Sequence, residues 1–355
     1  MKILLTGHLG YIGTVLSPLL LERGHDVHGL DSNLFADCTF DGHVENLPLI
    51  GRDLRDFVLR NDAVVCLRGF DAVIHLAGLS NDPLGDYRPE LTSLVNTDSS
   101  MALARVAKDA GVERFVFASS CSNYGASSDK FIDESGNFNP ITPYGQSKVD
   151  VEIALRKLAG DDFSPTFLRA STAYGVSPRL RFDLVVNNLS AWALTTGEVH
   201  LKSDGEPWRP IVHVEDICRA YIATVEAPRE DVHLQAFNVG LTTENYQIKE
   251  IAEIVRDAVP NSQLGFADDA GPDTRNYRVD CNYIGRTLHN FKPQWTCRRG
   301  VEQLLEAFNK AELTFETFQG QKFKRIAHIK HRIQAGTLSP DLRDISTSAQ
   351  AGAKL

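Results

Sequence analysis

Ile3-Leu4-Leu5-Thr6-Gly7-His8-Leu9-Gly10-Tyr11-Ile12-Gly13 is the stretch whose reading decides the fold. A short apolar run that ends in glycines reads as a buried strand turning sharply into a helix, which begins near Tyr11. Lacking β-carbons, Gly7, Gly10 and Gly13 let the backbone approach a pyrophosphate. The helix start at Tyr11 and Ile12 then offers unpaired amide groups and the positive end of its dipole to the phosphate charge. The spacing departs from GxGxxG, because the first two glycines are three apart.

Outward from this turn, apolar runs recur at residues 26 to 30, 71 to 76, 114 to 119 and 164 to 169, with amphipathic stretches between them. Unbroken apolar runs separated by helices are expected of parallel strands covered on both faces. The fold class is therefore α/β, a doubly wound parallel sheet of the Rossmann type, over residues 1–175. From about residue 175 the pattern is less regular, with helices expected near 181 to 196, 214 to 227 and 246 to 259. Residues 176–312 read as a smaller mixed α/β substrate lobe, interleaved with the first domain.

Residues 313–355 form an extension of different composition that carries KFKRIAHIKHR, Lys322 to Arg332. Ile326, Ile329 and Ile333 recur at helical spacing, so one face is expected to pack on the body while Lys324, Arg325, Lys330 and Arg332 stay solvated. A subunit contact or a lid over the pocket is the alternative. The last ten or so residues are expected to be disordered.

With 355 residues, 43% of them hydrophobic, the chain can bury a large core, and its net charge of -9 argues against general affinity for nucleic acid or anionic membranes. No apolar stretch approaches the roughly 20 residues of a membrane helix. These features read as a soluble, cytoplasmic protein. Cys38, Cys66, Cys121, Cys218, Cys281 and Cys297 show no paired CxxC spacing, so neither a metal site nor a disulfide framework is implied.

Asp31 closes the second apolar run, where a carboxylate can accept hydrogen bonds from ribose hydroxyls and would repel a 2'-phosphate. Ser32, Asn33, Leu34 and Phe35 bring no cation, which favours NAD over NADP. Asp53 and Leu54 follow a third strand, and Leu76, Ala77 and Gly78 follow the fourth after His75. These residues are placed to border the adenine and the nicotinamide-side ribose.

Tyr144 and Lys148, in YGQSK, lie one helical turn apart. A phenol with a pKa near 10 is a poor base at neutral pH, and a lysine on the same helix face stabilises its phenolate while reaching the cofactor ribose. Ser120, four residues before Tyr124, is the candidate hydroxyl to hold the reacting oxygen.

TGHLGYIG, Asp31, GRDLRD around Asp53, HLAG, VNTD around Asn96, FASSCSNYG and YGQSK occur in an order and spacing that resembles the extended short-chain dehydrogenase/reductase family, in particular its nucleotide-sugar epimerases and dehydratases, over about residues 1 to 312. The resemblance implies Ser120, Tyr144 and Lys148 as catalytic residues, Asn96 along the cofactor wall, and a homodimer. It also implies Asn188, Arg209 and Arg275 as holders of the nucleotide and diphosphate of a nucleotide-sugar substrate. Arginine suits that task, since its planar fork matches phosphate oxygens.

Family 4,6-dehydratases resemble one another in an Asp-Glu pair after the catalytic hydroxyl residue, where this chain has Cys121-Ser122. Cys121 is an unusual acid or base if its thiol faces the sugar, and is otherwise packed. Thr172 falls where related 4-epimerases show asparagine. The resemblance thus implies an NAD-dependent epimerase that oxidises its sugar transiently to a bound ketone. Dehydration, net oxidation or reduction of the sugar, and an inactive NAD-sensing regulator are the alternatives.

Overall fold

Strand β1 (Lys2–Thr6) is apolar on both faces because both are covered: Ile3, Leu4 and Leu5 are fully buried. The computed structural model describes residues 1–80, 82–125, 130–271 and 276–345. After β1 come β2 (Asp26–Leu30), β3 (Leu49–Gly51), β4 (Ala72–His75), β5 (Arg114–Ser120), β6 (Ser164–Ala170) and β7 (Ala236–Val239). They form one seven-stranded sheet in the order β7-β6-β5-β4-β1-β2-β3. Every pairing in it is parallel.

Alternation along the strands divides the core between the two faces. Ile3, Leu5, Ile74 and Val116 point to one face, where they meet Leu16 and Leu20 of helix α1 (Gly13–Glu22). Leu4, Val73, Phe115 and Phe117 point to the other. There they meet α2 (Ser99–Asp109) through Leu103 and Ala104, and α3 (Pro143–Leu158) through Val151 and Leu155. Each such side chain contributes about 1.5–3 kcal/mol on full burial, which gives the sheet two independent reasons to hold its register.

The other long helices are α4 (Val185–Thr196), α5 (Val214–Glu226), α6 (Ile248–Ala258), α7 (Cys297–Lys310) and α8 (Arg325–Gln334). Helix α5 joins α1 on the first face through Ile217 and Tyr221. A separate core gathers Val186 and Leu189 of α4, Ile251 and Val255 of α6, and Leu304 and Phe308 of α7. It packs against strands Glu198–Ser203 and Trp208–His213. Helix α4 starts later than residue 181, because Arg181 and Asp183 pair with each other and Leu184 is extended ahead of it. Among the described residues no helix is long and apolar enough to cross a membrane, and all six cysteines are free thiols.

The C-terminal extension behaves differently from the solvated-charge expectation. Its isoleucines do pack: Ile329 is fully buried, and Ile326 and Ile333 flank it against Leu79, Leu84 and Leu91. Arg325, however, is only 3% exposed and donates from Nη2 to the carbonyl of Arg179. Arg332 donates to the carbonyl of Leu34, and Lys324 Nζ donates to Gln319 while its side chain is half-buried. Lys330 alone of the four is exposed. Loop carbonyls without sheet or helix partners draw these donors inward, because a buried acceptor left unpaired costs as much as a lost hydrogen bond. Residues 346–355, expected to be disordered, lie outside the described residues.

Candidate active site

The sheet reverses its winding between β1 and β4, and a cavity of about 990 Å³ opens at the carboxyl ends of these strands. Such a switch point is where open α/β sheets bind ligands. Gly7, at the end of β1, has φ +73°, and a β-carbon there would lie 2.7 Å from the backbone nitrogen of Ala77. A β-carbon at Gly13 would lie 2.4 Å from the carbonyl oxygen of Gly7. Bare backbone at these two positions seats α1 directly on the turn. No side chain caps the N-terminus of α1, and the amides of Thr14 and Val15 already bond to the carbonyls of Gly10 and Ile12, so an anion there meets the amides of Tyr11, Ile12 and Gly13 and the positive end of the helix dipole.

Around this turn the cavity is lined by Gly10, Tyr11 and Ile12, by Asp31 and Ser32 after β2, by Asp53 and Leu54 after β3, and by Leu76, Ala77 and Gly78 after β4. The Asp31 carboxylate accepts from the backbone of Leu9 at 2.9 Å and of Asn33 at 2.7 Å, which fixes its direction. Burial works to raise the Asp53 carboxyl, but hydrogen bonds and charge from Arg55, with Arg343, outweigh it and hold the group below the usual carboxylate range. Tyr11 turns away from solvent, and its hydroxyl donates to the carbonyl of Gly175 at 2.7 Å.

Tyr144 and Lys148 reach the same cavity from α3, and Ser120 reaches it from the end of β5. Pro143 occupies the first turn of α3, and the Thr142 side chain caps it by accepting from the amide of Gly145, so the helix begins where the tyrosine is needed. Lys148 Nζ lies 5.6 Å from the centre of the Tyr144 ring and 4.9 Å from that of Phe117. Burial lowers the Lys148 ammonium to about 8, partly opposed by the Glu152 carboxylate one turn further on. Ser120 Oγ accepts twice, from the Ser122 amide at 3.1 Å and the Ser122 hydroxyl at 2.9 Å. Its own O–H is thereby left to donate outward.

Beneath these groups lies a closed polar network. Glu152 is fully buried and accepts from Arg169 at 3.0 and 2.7 Å, from Asn123 at 3.1 Å and from Ser119. His75 sits between the hydroxyls of Thr6 and Ser100, each at 2.7 Å, and burial beside Lys148 pushes it down to about 3, so it stays neutral.

The family model for the NAD dependent epimerase/dehydratase family matches residues 3–240. The chain belongs to that family. As an NAD dependent epimerase/dehydratase it is 27% identical over 270 residues to the UDP-glucose 4-epimerase of Corynebacterium glutamicum, covering 72% of this chain and 80% of that one. It is 26% identical over 330 residues to UDP-glucuronic acid decarboxylase 1 of Arabidopsis thaliana, covering 90% and 72%. Among solved structures, MoeE5 in complex with UDP-glucuronic acid and NAD superposes with a TM-score of 0.74 at 26% identity, over 88% of this chain and all of the other. The residues present fit NAD: the glycine cradle and the uncapped start of α1 suit a pyrophosphate, and the oriented Asp31 carboxylate suits ribose hydroxyls.

In this family member the cavity runs on past Ser120 into the second core. Thr172, Asn188 of α4, Arg209 and Ser122 line it there. Asn188 donates to the carbonyl of Phe182 at 2.8 Å, and Arg209 to that of Trp208 at 2.8 Å. Cys121 does not face the cavity. Its thiol is fully buried, donates to the carbonyl of Arg169 at 3.1 Å, and is pushed up to about 12 by burial. Strand β5 ends at Ser120, and the 3-10 turn Cys121–Tyr124 that follows carries the thiol into the core. Asn96 also stands behind the wall rather than in it: its side chain holds the backbone of Leu79 at both ends and donates to Ser147. Arg275 lies outside the described residues. Arg181, Tyr221, Lys324, Arg325 and Leu342 line the cavity without any local motif to announce them.

Proposed function

We propose that this chain is an NAD-dependent nucleotide-sugar epimerase that acts through a transient keto-sugar, with Tyr144, Lys148 and Ser120 as its catalytic residues. One observation carries the reading: the tyrosine–lysine pair of α3, the donor hydroxyl of Ser120 and the glycine cradle all line a single cavity. Bound NAD supplies a hydride acceptor that can return the hydride to the same carbon. Tyr144 takes the proton of the sugar hydroxyl and gives it back on reduction. Lys148, charged in its low-dielectric seat, favours the phenolate. The hydroxyl of Ser120 holds the reacting oxygen. Asn188 and Arg209 bind the nucleotide diphosphate, with Thr172 and Ser122 beside the sugar. Arg275 takes its diphosphate role from the resemblance alone.

Retention of the sugar skeleton is favoured over loss of water. The carboxylates lining the described cavity are Asp31, Asp53 and Asp183. Asp53 and Asp183 are paired with Arg55 and Arg181, and none of the three adjoins Ser120 in sequence, where elimination would need an acid and a base. The test uses purified protein with UDP-glucose and NAD, followed by proton NMR. Appearance of the C4 epimer without a lasting change at the NADH absorbance band supports the reading. A stoichiometric NADH change, or a decarboxylated or dehydrated product, would establish the second reading, which the alignment with the decarboxylase over 90% of this chain favours. The acting unit is proposed to be a homodimer in the cytoplasm.

A further inference from the structure

The segment from Lys324 to Leu342 lies beyond the residues that the family model matches, yet Lys324, Arg325, Ile326 and Leu342 line the ligand cavity. It is anchored on two sides of the cofactor half. On one side Arg332 donates to the carbonyl of Leu34, in the loop after Asp31, and Arg325 donates to the carbonyl of Arg179, whose own guanidinium reaches the carbonyl of Leu9 in the glycine turn. On the other side Arg55, in the short helix Leu54–Phe57 after β3, donates to the carbonyls of Asp341 and Leu342, and Arg343 pairs with Asp53.

Arg325 is the unusual member. It is 3% exposed, its guanidinium stacks 3.9 Å from the centre of the Phe35 ring, and its Nη1 has no hydrogen-bond partner among the described residues. The ion pairs among the described residues leave it without a carboxylate, whereas Arg181 beside it is neutralised by Asp183. Burial and the nearby Arg181 charge pull Arg325 down to about 10, so it keeps its proton at neutral pH. A buried, charged guanidinium with an unspent donor is costly unless an anion shares its seat.

We infer that the C-terminal segment is a wall of the dinucleotide site and that Arg325 supplies the positive charge opposite the glycine turn for a diphosphate. The inference rests on the cofactor assignment above. Diphosphate is the shared chemistry of the dinucleotide and of a nucleotide sugar. The anchors at Leu34, Asp53 and, through Arg179, Leu9 place this charge in the dinucleotide half.

Calorimetric titration of the full chain with ADP-ribose, adenosine and UDP tests it, using wild type, Arg325→Gln and Arg325→Lys. Glutamine keeps a donor for the carbonyl of Arg179 but removes the charge; lysine keeps the charge but removes the fork. The expected result is at least a tenfold loss of ADP-ribose affinity in Arg325→Gln, a smaller loss in Arg325→Lys, and adenosine and UDP affinities within twofold of wild type. Unchanged ADP-ribose binding in Arg325→Gln, an equal loss for adenosine, or a loss confined to UDP would overturn it. If Arg325→Gln does not fold, the lysine variant decides: a loss of ADP-ribose affinity as large as its loss for adenosine overturns the inference. Wild-type protein that binds neither ADP-ribose nor NAD would instead sink the cofactor assignment itself.

Discussion

At the scale of single residues, the site holds groups that chemistry needs and stability does not. Lys148 is buried with a lowered pKa, so protonating it in the folded state is harder than in the unfolded chain. The unfolded chain therefore binds more protons between about pH 8 and the ordinary lysine value, and stability rises with pH through that window. Replacing the lysine by an uncharged side chain of similar length should accordingly stabilise the fold below pH 8, by up to about 3 kcal/mol, and the gain should fade above it. Denaturant titrations of Lys148→Met at several pH values measure this, and a destabilised variant at pH 7 would show that the ammonium is a structural asset. Tyr144→Phe should lower turnover by about 10²-fold or more while NAD affinity measured by calorimetry stays within a few-fold, because the phenol hydroxyl is assigned to proton transfer and not to binding. Glu152 is the opposite case. Changing it to Gln removes the carboxylate bonded to Arg169 among the described residues and should cost about 3–5 kcal/mol in chemical unfolding.

At the scale of elements, the strands β1, β2, β4, β5 and β6 were legible because burial on both faces writes itself as an unbroken apolar run. Strand β7 was not, since its Ala-Phe-Asn-Val places a buried asparagine in the sheet, where Asn238 accepts from Tyr124 and holds the carbonyl of Asp280. Tyr124, conspicuous in its motif, is likewise a core residue. The glycine turn was legible in kind, but the backbone ranks its glycines differently. Gly10 could take a β-carbon with 3.2 Å to the nearest atom, whereas Gly13 would bring one within 2.4 Å of a carbonyl oxygen. Gly13→Ala should therefore displace α1 from the turn and cost about 2 kcal/mol or more, while Gly10→Ala stays within about 1 kcal/mol of wild type before any ligand is added. Equal unfolding midpoints for the two variants would contradict the close approach. The charges of α8 escaped the sequence because an amphipathic helix sends its cations to water by default. Arg325 and Arg332 are drawn in by carbonyls 146 and 298 positions away, which no local window contains.

At the scale of the whole molecule, the cavity gathers groups from Gly7 to Leu342, and α3 turns Tyr144 and Lys148 toward it. The helix that carries Tyr144 and Lys148 nevertheless presents another face outward. Lys148, Val151 and Leu155 are buried against the sheet, while Ile153 of the same helix is 43% exposed, and Leu94, in the neighbouring turn Ser93–Asp98, is 44% exposed. Two large aliphatic side chains on adjoining segments cost little in isolation, but they are the composition expected at the apolar centre of a subunit interface. The proposed homodimer places them there. A carboxylate buried in such a contact would have no partner and would cost several kcal/mol, enough to reverse a micromolar association. Ile153→Asp should then convert a wild type of twice the chain mass in light scattering into a species of one chain mass. NAD affinity should be unchanged, because residue 153 points away from the cavity. A monomeric wild type would remove the homodimer from the proposal. A variant that stays dimeric would move the interface off α3, and one that loses NAD along with its partner would show that the second chain stiffens the helix on which the tyrosine and lysine stand.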